Sequence, residues 1–475
     1  MFDPDIAPSG TLLGLLQRGR GDGTLHALAA PRAEALAAVH HCVLNDPRDD
    51  WQLENRSLYY ARLCRDLDGS LDEIGQHLFH PDDHLDTAPE RTGLALSVLG
   101  HLASYGRTDA LRLLRRYAAT GANWAWALDE LALRDDDTGL AALRAPVLAR
   151  FPATPEGEEE LARAVRDAFE PRPWRLWAAG TDDPAAAERV RAAGEQGSFD
   201  RWQRQLRGPG PRPGWSVRQV LAWAQQGLDL HPTQLRHAAA ARCLTAVAGP
   251  GDRDELLAAA RTGPEGARSA AVRHLTEQAD PDALDLVEAA VAAPSQLVAE
   301  SAVASFERMC SVAALERARV WAHRDDRLGI AAAGMLAARG GLPDAGLVLA
   351  ALRRTVRTAG IDAPGLPQLV DGAGRLGIAA AAPVLRHVYR ETSSSHLRGR
   401  AARALVSSDP SFAAGLAVEC LWDCEESTRE LAAGHAAIGD QRVVDQLRRL
   451  AADPAEEAQV QTAVRSRIRS ESPPG

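Results

Sequence analysis

A near-regular repeat in the second half of the chain limits the possible folds more than any other feature. "RHAAAARCLTAVAGPGDRDELLAAARTG" starts at Arg236, and "RSAAVRHLTEQADPDALDLVEAAVAAP" starts at Arg268. "VAESAVASFERMCSVAALERARVWAHR" follows from Val298, then "LGIAAAGMLAARGGLPDAGLVLAALRR" from Leu328. A looser stretch covers Leu366 to Tyr389, after which "LRGRAARALVSSDPSFAAGLAVECLWD" and "TRELAAGHAAIGDQRVVDQLRRLAADP" resume the pattern. The offset from Arg268 to Ala299 is 31 residues, and from Arg398 to Arg429 it is again 31. Each unit reads as a helix, a short Gly/Asp/Pro break and a second helix. Periods of this size signal an α-solenoid, in which each unit buries its apolar face only against its neighbours.

Alanine runs such as "HAAAARCL" and a 5% aromatic content support an all-α protein. Alanine has the highest helix propensity, and its small side chain lets helices approach closely. At 475 residues the chain is too long for one conventional core, so several domains or a quasi-linear array is expected. We expect an irregular N-terminal helical region over 1–206, a Pro/Gly linker over 207–214 ("RGPGPRPG"), a repeat array over 215–468 and a disordered tail over 469–475. Within the first region, Arg91 to Gly121 reads as one helix pair.

All 54 basic residues are arginine, because the sequence contains no lysine. A phosphate-binding loop of the Walker type and Schiff-base chemistry both need that amine, so both are excluded. A net charge of −10 argues against a general nucleic-acid binder. Six irregularly spaced cysteines suit reduced thiols, and "MFDPDIAPSG" lacks the apolar core of a signal peptide. No apolar run reaches the length of a membrane span. The expectation is a soluble cytoplasmic protein with no cofactor.

The "R-x-x-A-x-x-A-L" first helix, the Asp-Pro corner and the "Leu-x-x-Leu" second helix resemble the short HEAT-like repeats of phycobilisome lyases and bacterial scaffolds. The resemblance runs from about Leu235 to Ala463 and implies a right-handed α-solenoid of HEAT-like helix pairs. Such arrays host unrelated functions.

Second helices of this pattern carry arginine at successive positions. Arg319, Arg324, Arg353, Arg354, Arg357, Arg386, Arg390, Arg448 and Arg449 would line an inner face suited to an acidic protein partner or a nucleic-acid backbone. Alternatively, these long side chains cover alanine-rich helices and pair with neighbouring acids. Trp51, Tyr59 and Tyr60 are residue types enriched in interface hot spots, but they would equally suit a helix covering the end of the array.

"NWAWALDELALRDDD" sets Trp126, Asp129 and Glu130 on one helix flank. A Trp-plus-Asp pair on such repeats resembles the AlkD-like alkylpurine DNA glycosylases, which implies aromatic stacking on a damaged base and a carboxylate stabilising the sugar cation. In that family the acid follows the tryptophan by four residues. Here Asp129 follows Trp126 by three, and only Glu130 follows it by four. His77, His80 and His84 in "HLFHPDDHLD" have a spacing that could supply metal ligands, although Pro81 interrupts the helix between them. The reading favoured overall is a non-enzymatic scaffold for a protein partner.

Overall fold

The computed structural model describes residues 6–48, 52–85, 88–203, 214–230 and 235–471. Among these the chain is all-helical, with turns and short 3-10 segments between helices and no strand. No helix among them is long and apolar enough to cross a membrane. The expected linker falls outside the described residues except at Gly214. Of the expected tail, Arg469–Glu471 continue the helix Ala458–Glu471, and the remainder lies outside the described residues.

Two compact units are present. One comprises 207–388 and 403–409, and the other comprises 1–206, 389–402 and 410–475.

In the 207–388 unit the helices Glu265–Glu277, Gln296–Arg308, Arg327–Arg339 and Leu366–Arg375 pack one on the next. Between them run Ala283–Val291, Val312–Trp321 and Ala345–Ala359, each packed against the helix that follows it. Alanine makes the contacts close, since Ala270, Ala271, Ala302, Ala332, Ala333 and Ala373 have no exposed surface. Larger side chains would hold the helix axes further apart.

The corners between repeats are fixed by aspartate. The Asp344 carboxylate accepts from Gly341 N at 2.9 Å, closing its own turn, and then receives Arg319 of the preceding repeat at 2.7 and 3.2 Å. Arg253 does the same for Asp280 at 2.8 and 2.9 Å, and Arg386 for Asp409 at 2.7 Å. The Arg319 hydrogen bond holds the Asp344 carboxyl below its usual range. The Asp-Pro corner at Asp280, which also accepts from Asp282 N at 2.9 Å, is therefore an anion that both shapes its turn and receives the neighbouring repeat's arginine.

The other unit unites the beginning and end of the chain. Its apolar core runs through Arg32–Leu44, Ser57–Asp66, Pro89–Ser104, Thr108–Thr120 and Trp124–Arg134. The pair expected over 91–121 is present as Pro89–Ser104 and Thr108–Thr120. The helix Gly21–Ala29 meets Leu416–Cys420 so closely that a Cβ on Gly21 would lie 1.8 Å from the Glu419 carbonyl oxygen. Only glycine fits there.

Around that contact lies a set of buried charges. Arg398 and Asp423, neither with any exposed side-chain surface, form a bidentate pair at 2.7 and 3.0 Å. Arg429 holds Glu456 at 2.7 and 3.0 Å, and Arg62 reaches both Asp453 and Glu456 at 2.9 Å. Arg20 pairs with Glu419 at 3.0 Å. Glu54 accepts from the Ser395 backbone N at 2.5 Å and from the Ser394 hydroxyl, so it caps the helix Ser395–Ser408 from a segment 341 residues away in sequence.

Breaking one such pair strands a charge in the interior, which costs about 3–5 kcal/mol. Asp423→Ala should therefore lower the urea-unfolding stability of the full chain by that amount. A loss below about 1 kcal/mol, the ordinary surface-substitution range, would contradict the pairing.

Burial pushes the carboxyls of Glu54, Asp453 and Glu456 up. The Ser394 and Ser395 donors, Arg62 and Arg429 outweigh it, so all three titrate below their ordinary values. A depressed folded-state pKa stabilises fully above the unfolded value and is lost as pH falls through the folded one. The stabilisation should be complete above about pH 4.5 and fade below it. Thermal midpoints across this range should fall less steeply for Glu54→Gln than for the wild type, and identical slopes would show that Glu54 contributes nothing.

Candidate functional site, an arginine-walled groove

In the 207–388 unit, the C-terminal part of Ala345–Ala359 and the loop at 360–365 stand beside the middle and C-terminal half of Gln296–Arg308 and the first turns of Arg327–Arg339. A groove of about 970 Å³ lies among them. Its floor is apolar and made of small or short residues, chiefly Val303, Ala304, Ala331 and Ala363, with Ile330 41% exposed. Arg324, Arg327, Arg354 and Arg357 wall it, interspersed with Glu300, Glu307 and Asp325.

The four guanidiniums are held with different strength. Arg324 is the anchored one, at 2.6 Å from both Glu288 and Asp326, and Asp326 in turn caps Arg327–Arg339 by accepting from Gly329 N at 2.9 Å. Arg354 donates to the Ala322 carbonyl at 3.0 Å and lies 3.4 Å from Asp325, whose side chain is 83% exposed. Arg327 faces Glu300 at 3.7 Å, both more than half exposed. Arg357 is exposed and makes no ion pair among the described residues. Exposed pairs of this kind are worth about 0–1 kcal/mol. An incoming carboxylate could exchange with Asp325 or Glu300 at little cost, and Arg357 has no partner to give up.

The sequence-predicted arginines therefore divide. Arg324, Arg354 and Arg357 come together in the groove, whereas Arg319 and Arg386 are bound to corner aspartates. Arg353 donates to the Ala380 carbonyl at 2.9 Å. Arg390 is exposed, Arg448 lies 3.4 Å from Asp445, and Arg449 pairs with Asp66 at 2.6 Å.

Arg327 and Ile330 stand on Arg327–Arg339, a first helix, whereas the sequence pattern puts the arginine-lined face on second helices. The signal that could have found them is their i, i+3 spacing directly after the Asp326 cap.

Tyr59 and Tyr60 are 4% and 1% exposed, and their hydroxyls donate to the carbonyls of Arg20 at 2.8 Å and Leu16 at 3.1 Å. They are core residues under the first two helices, not an exposed patch for a protein partner, and only the edge of the Tyr59 ring reaches a small cavity. Trp51 lies outside the described residues.

Trp126 donates its indole N–H to Ser97 Oγ at 3.1 Å, and Ser97 donates to Glu130 at 2.8 Å. Arg134 then holds Glu130 at 2.5 Å. Asp129 accepts from the Glu170 backbone N at 3.0 Å. Burial raises both carboxyls, opposed at Glu130 by Arg134. The three residues thus serve contacts between Trp124–Arg134 and its neighbours. Asn123, at the cap position of that helix, donates instead to Thr92 Oγ1 at 2.8 Å and to the Ala88 carbonyl.

His77 hydrogen-bonds the Arg91 carbonyl at 2.7 Å, His80 lies 3.6 Å from Asp82, and His84 is exposed. Among the described residues no three His, Cys, Asp or Glu side chains converge as metal ligands.

No family model matches the chain, and no curated protein or solved structure matches it either. Its own geometry is what bears on function.

The groove's edge depends on Gly365, which has φ +84° at the cap of Leu366–Arg375 and whose added Cβ would lie 3.0 Å from Ile330 Cγ2. Gly365→Ala should cost about 1–2 kcal/mol in unfolding experiments, the penalty of a left-handed L-residue. No measurable cost would mean that the loop readily adopts another path.

Proposed function

We propose that the chain is a right-handed solenoid of HEAT-like helix pairs, acting as a non-enzymatic cytoplasmic scaffold. Its arginine-walled groove holds an acidic segment of a protein partner. The solenoid reading is supported by the in-order packing of successive first helices and by the Arg–Asp corners that repeat with them.

The observation that carries the partner reading is the groove itself. Four guanidiniums border an apolar floor in a chain whose net charge is −10. Guanidinium pairs carboxylates in a planar, bidentate geometry, and the floor offers aliphatic contact between the charges. A segment alternating Asp or Glu with aliphatic residues satisfies both. A nucleic-acid backbone carries far more charge per unit length than such a segment and would meet correspondingly more of the protein's long-range repulsion.

A photo-crosslinking residue at Ile330 should capture, in the native cell, one polypeptide with an acidic segment at the adduct. Arg327→Glu with Arg357→Glu should remove that adduct without changing the thermal midpoint, because both side chains are exposed. An adduct indifferent to the charge reversal, or one formed on a segment without acidic residues, would contradict the reading.

A further inference from the structure

A second cavity, of about 250 Å³, lies in the unit that unites the two ends of the chain. The helices Ser57–Asp66 and Gln441–Ala452 form its sides, and Trp422 and the corner at Asp453–Pro454 complete it. It is independent of the groove and shares no residue with it.

Its walls are chemically divided. Trp422, Leu450 and the Tyr59 ring supply apolar surface. Tyr59 offers only its ring, since its hydroxyl is already bound to the Arg20 carbonyl. Trp422 is half-buried, and its indole N–H has no partner among the described residues.

The polar wall has a surplus of cationic donors. Arg65 and Arg449 share a single carboxylate, Asp66, at 3.1 and 2.6 Å. Each guanidinium has five N–H donors, so most remain available. Arg62, in contrast, is committed to Asp453 and Glu456.

We propose that this cavity is a binding site for a small organic carboxylate with a flat or branched apolar body. The body packs against Trp422 and Leu450, and the carboxylate bridges Arg65 and Arg449, neutralising the charge that Asp66 leaves over. The cavity is at or below the lower end of the size range of ligand pockets, so the occupant is smaller than a drug-sized molecule. Because the walls come from both ends of the chain, an occupied cavity ties them together, and binding raises the thermal midpoint by mass action.

The test is calorimetric titration of the full chain with indole-3-acetate and phenylacetate, with indole-3-acetamide as the uncharged counterpart, alongside thermal midpoints. One saturable site for the acids is expected, with the amide about tenfold weaker or more, the equivalent of one charge-assisted contact. Arg449→Gln should weaken acid binding by a similar factor while leaving the unliganded midpoint unchanged, because the pair that it loses is exposed. Trp422→Ala should weaken acid and amide alike. Absence of saturable binding at millimolar acid, equal binding of acid and amide, or undiminished binding to Arg449→Gln would each overturn the proposal.

Discussion

The bidentate contact between Arg398 and Asp423, with neither side chain reaching solvent, is the centre on which one of the two units depends. Taking two charges out of water costs several kcal/mol per ion, and their attraction repays this only if the remaining donors and acceptors are also satisfied. Around this pair most of that demand is met by a connected set, while Arg398 Nη1 is left as a buried donor with no partner among the described residues. Arg429 donates to the Asp423 and Cys424 carbonyls as well as to Glu456, and the Glu425 backbone N donates to Asp423. Compared with apolar packing, such a set adds little net stability. What it imposes is register. A slip of one helical turn would part Glu54 from Ser394 and Ser395, Arg20 from Glu419, and Arg62 from Asp453 and Glu456, so the N-terminal helices can seat on the C-terminal ones in one arrangement only.

Tyr59 and Tyr60 fill the space beneath the first helices with their rings, and their hydroxyls find acceptors in the Arg20 and Leu16 carbonyls, which also accept from Gly23 N and Gly19 N. The 207–388 unit uses arginine differently. There the corner aspartates and their arginines are partly solvated, individually weak and repeated, which suits a spacer between helix pairs. Arg327 and Arg357 have only a long ion pair or none, and their guanidiniums are free to meet something outside the chain.

Much of the helical architecture could be read from the residues themselves. Alanine runs, Asp-Pro corners and a 31-residue offset are local signals, and the helices that they foretell stand where expected. Trp124, Leu128 and Leu131 recur at i, i+4 and i+7, a spacing that aims one helix face at the core, and Leu128 and Leu131 are 2% and 0% exposed with Trp124 packed partly buried against the same core. Contacts of great sequence separation were not visible. Nothing near Glu54 announces that it will cap a helix 341 residues further on, because ion pairing carries no periodicity. The same limit applied to the arginines. Arg319 and Arg324 are five residues apart on the same unit, yet one is bound to a corner aspartate and the other stands in the groove wall. Only the neighbouring repeat decides which.

The central functional proposal is that the arginine-walled groove is where the chain holds an acidic segment of a partner. Hydrogen exchange on the isolated complex tests it most directly. The account predicts slowed exchange confined to the last turn of Ala345–Ala359, the loop at 360–365 and the first turns of Arg327–Arg339. Protection that left these segments unchanged and appeared elsewhere on the chain would contradict it.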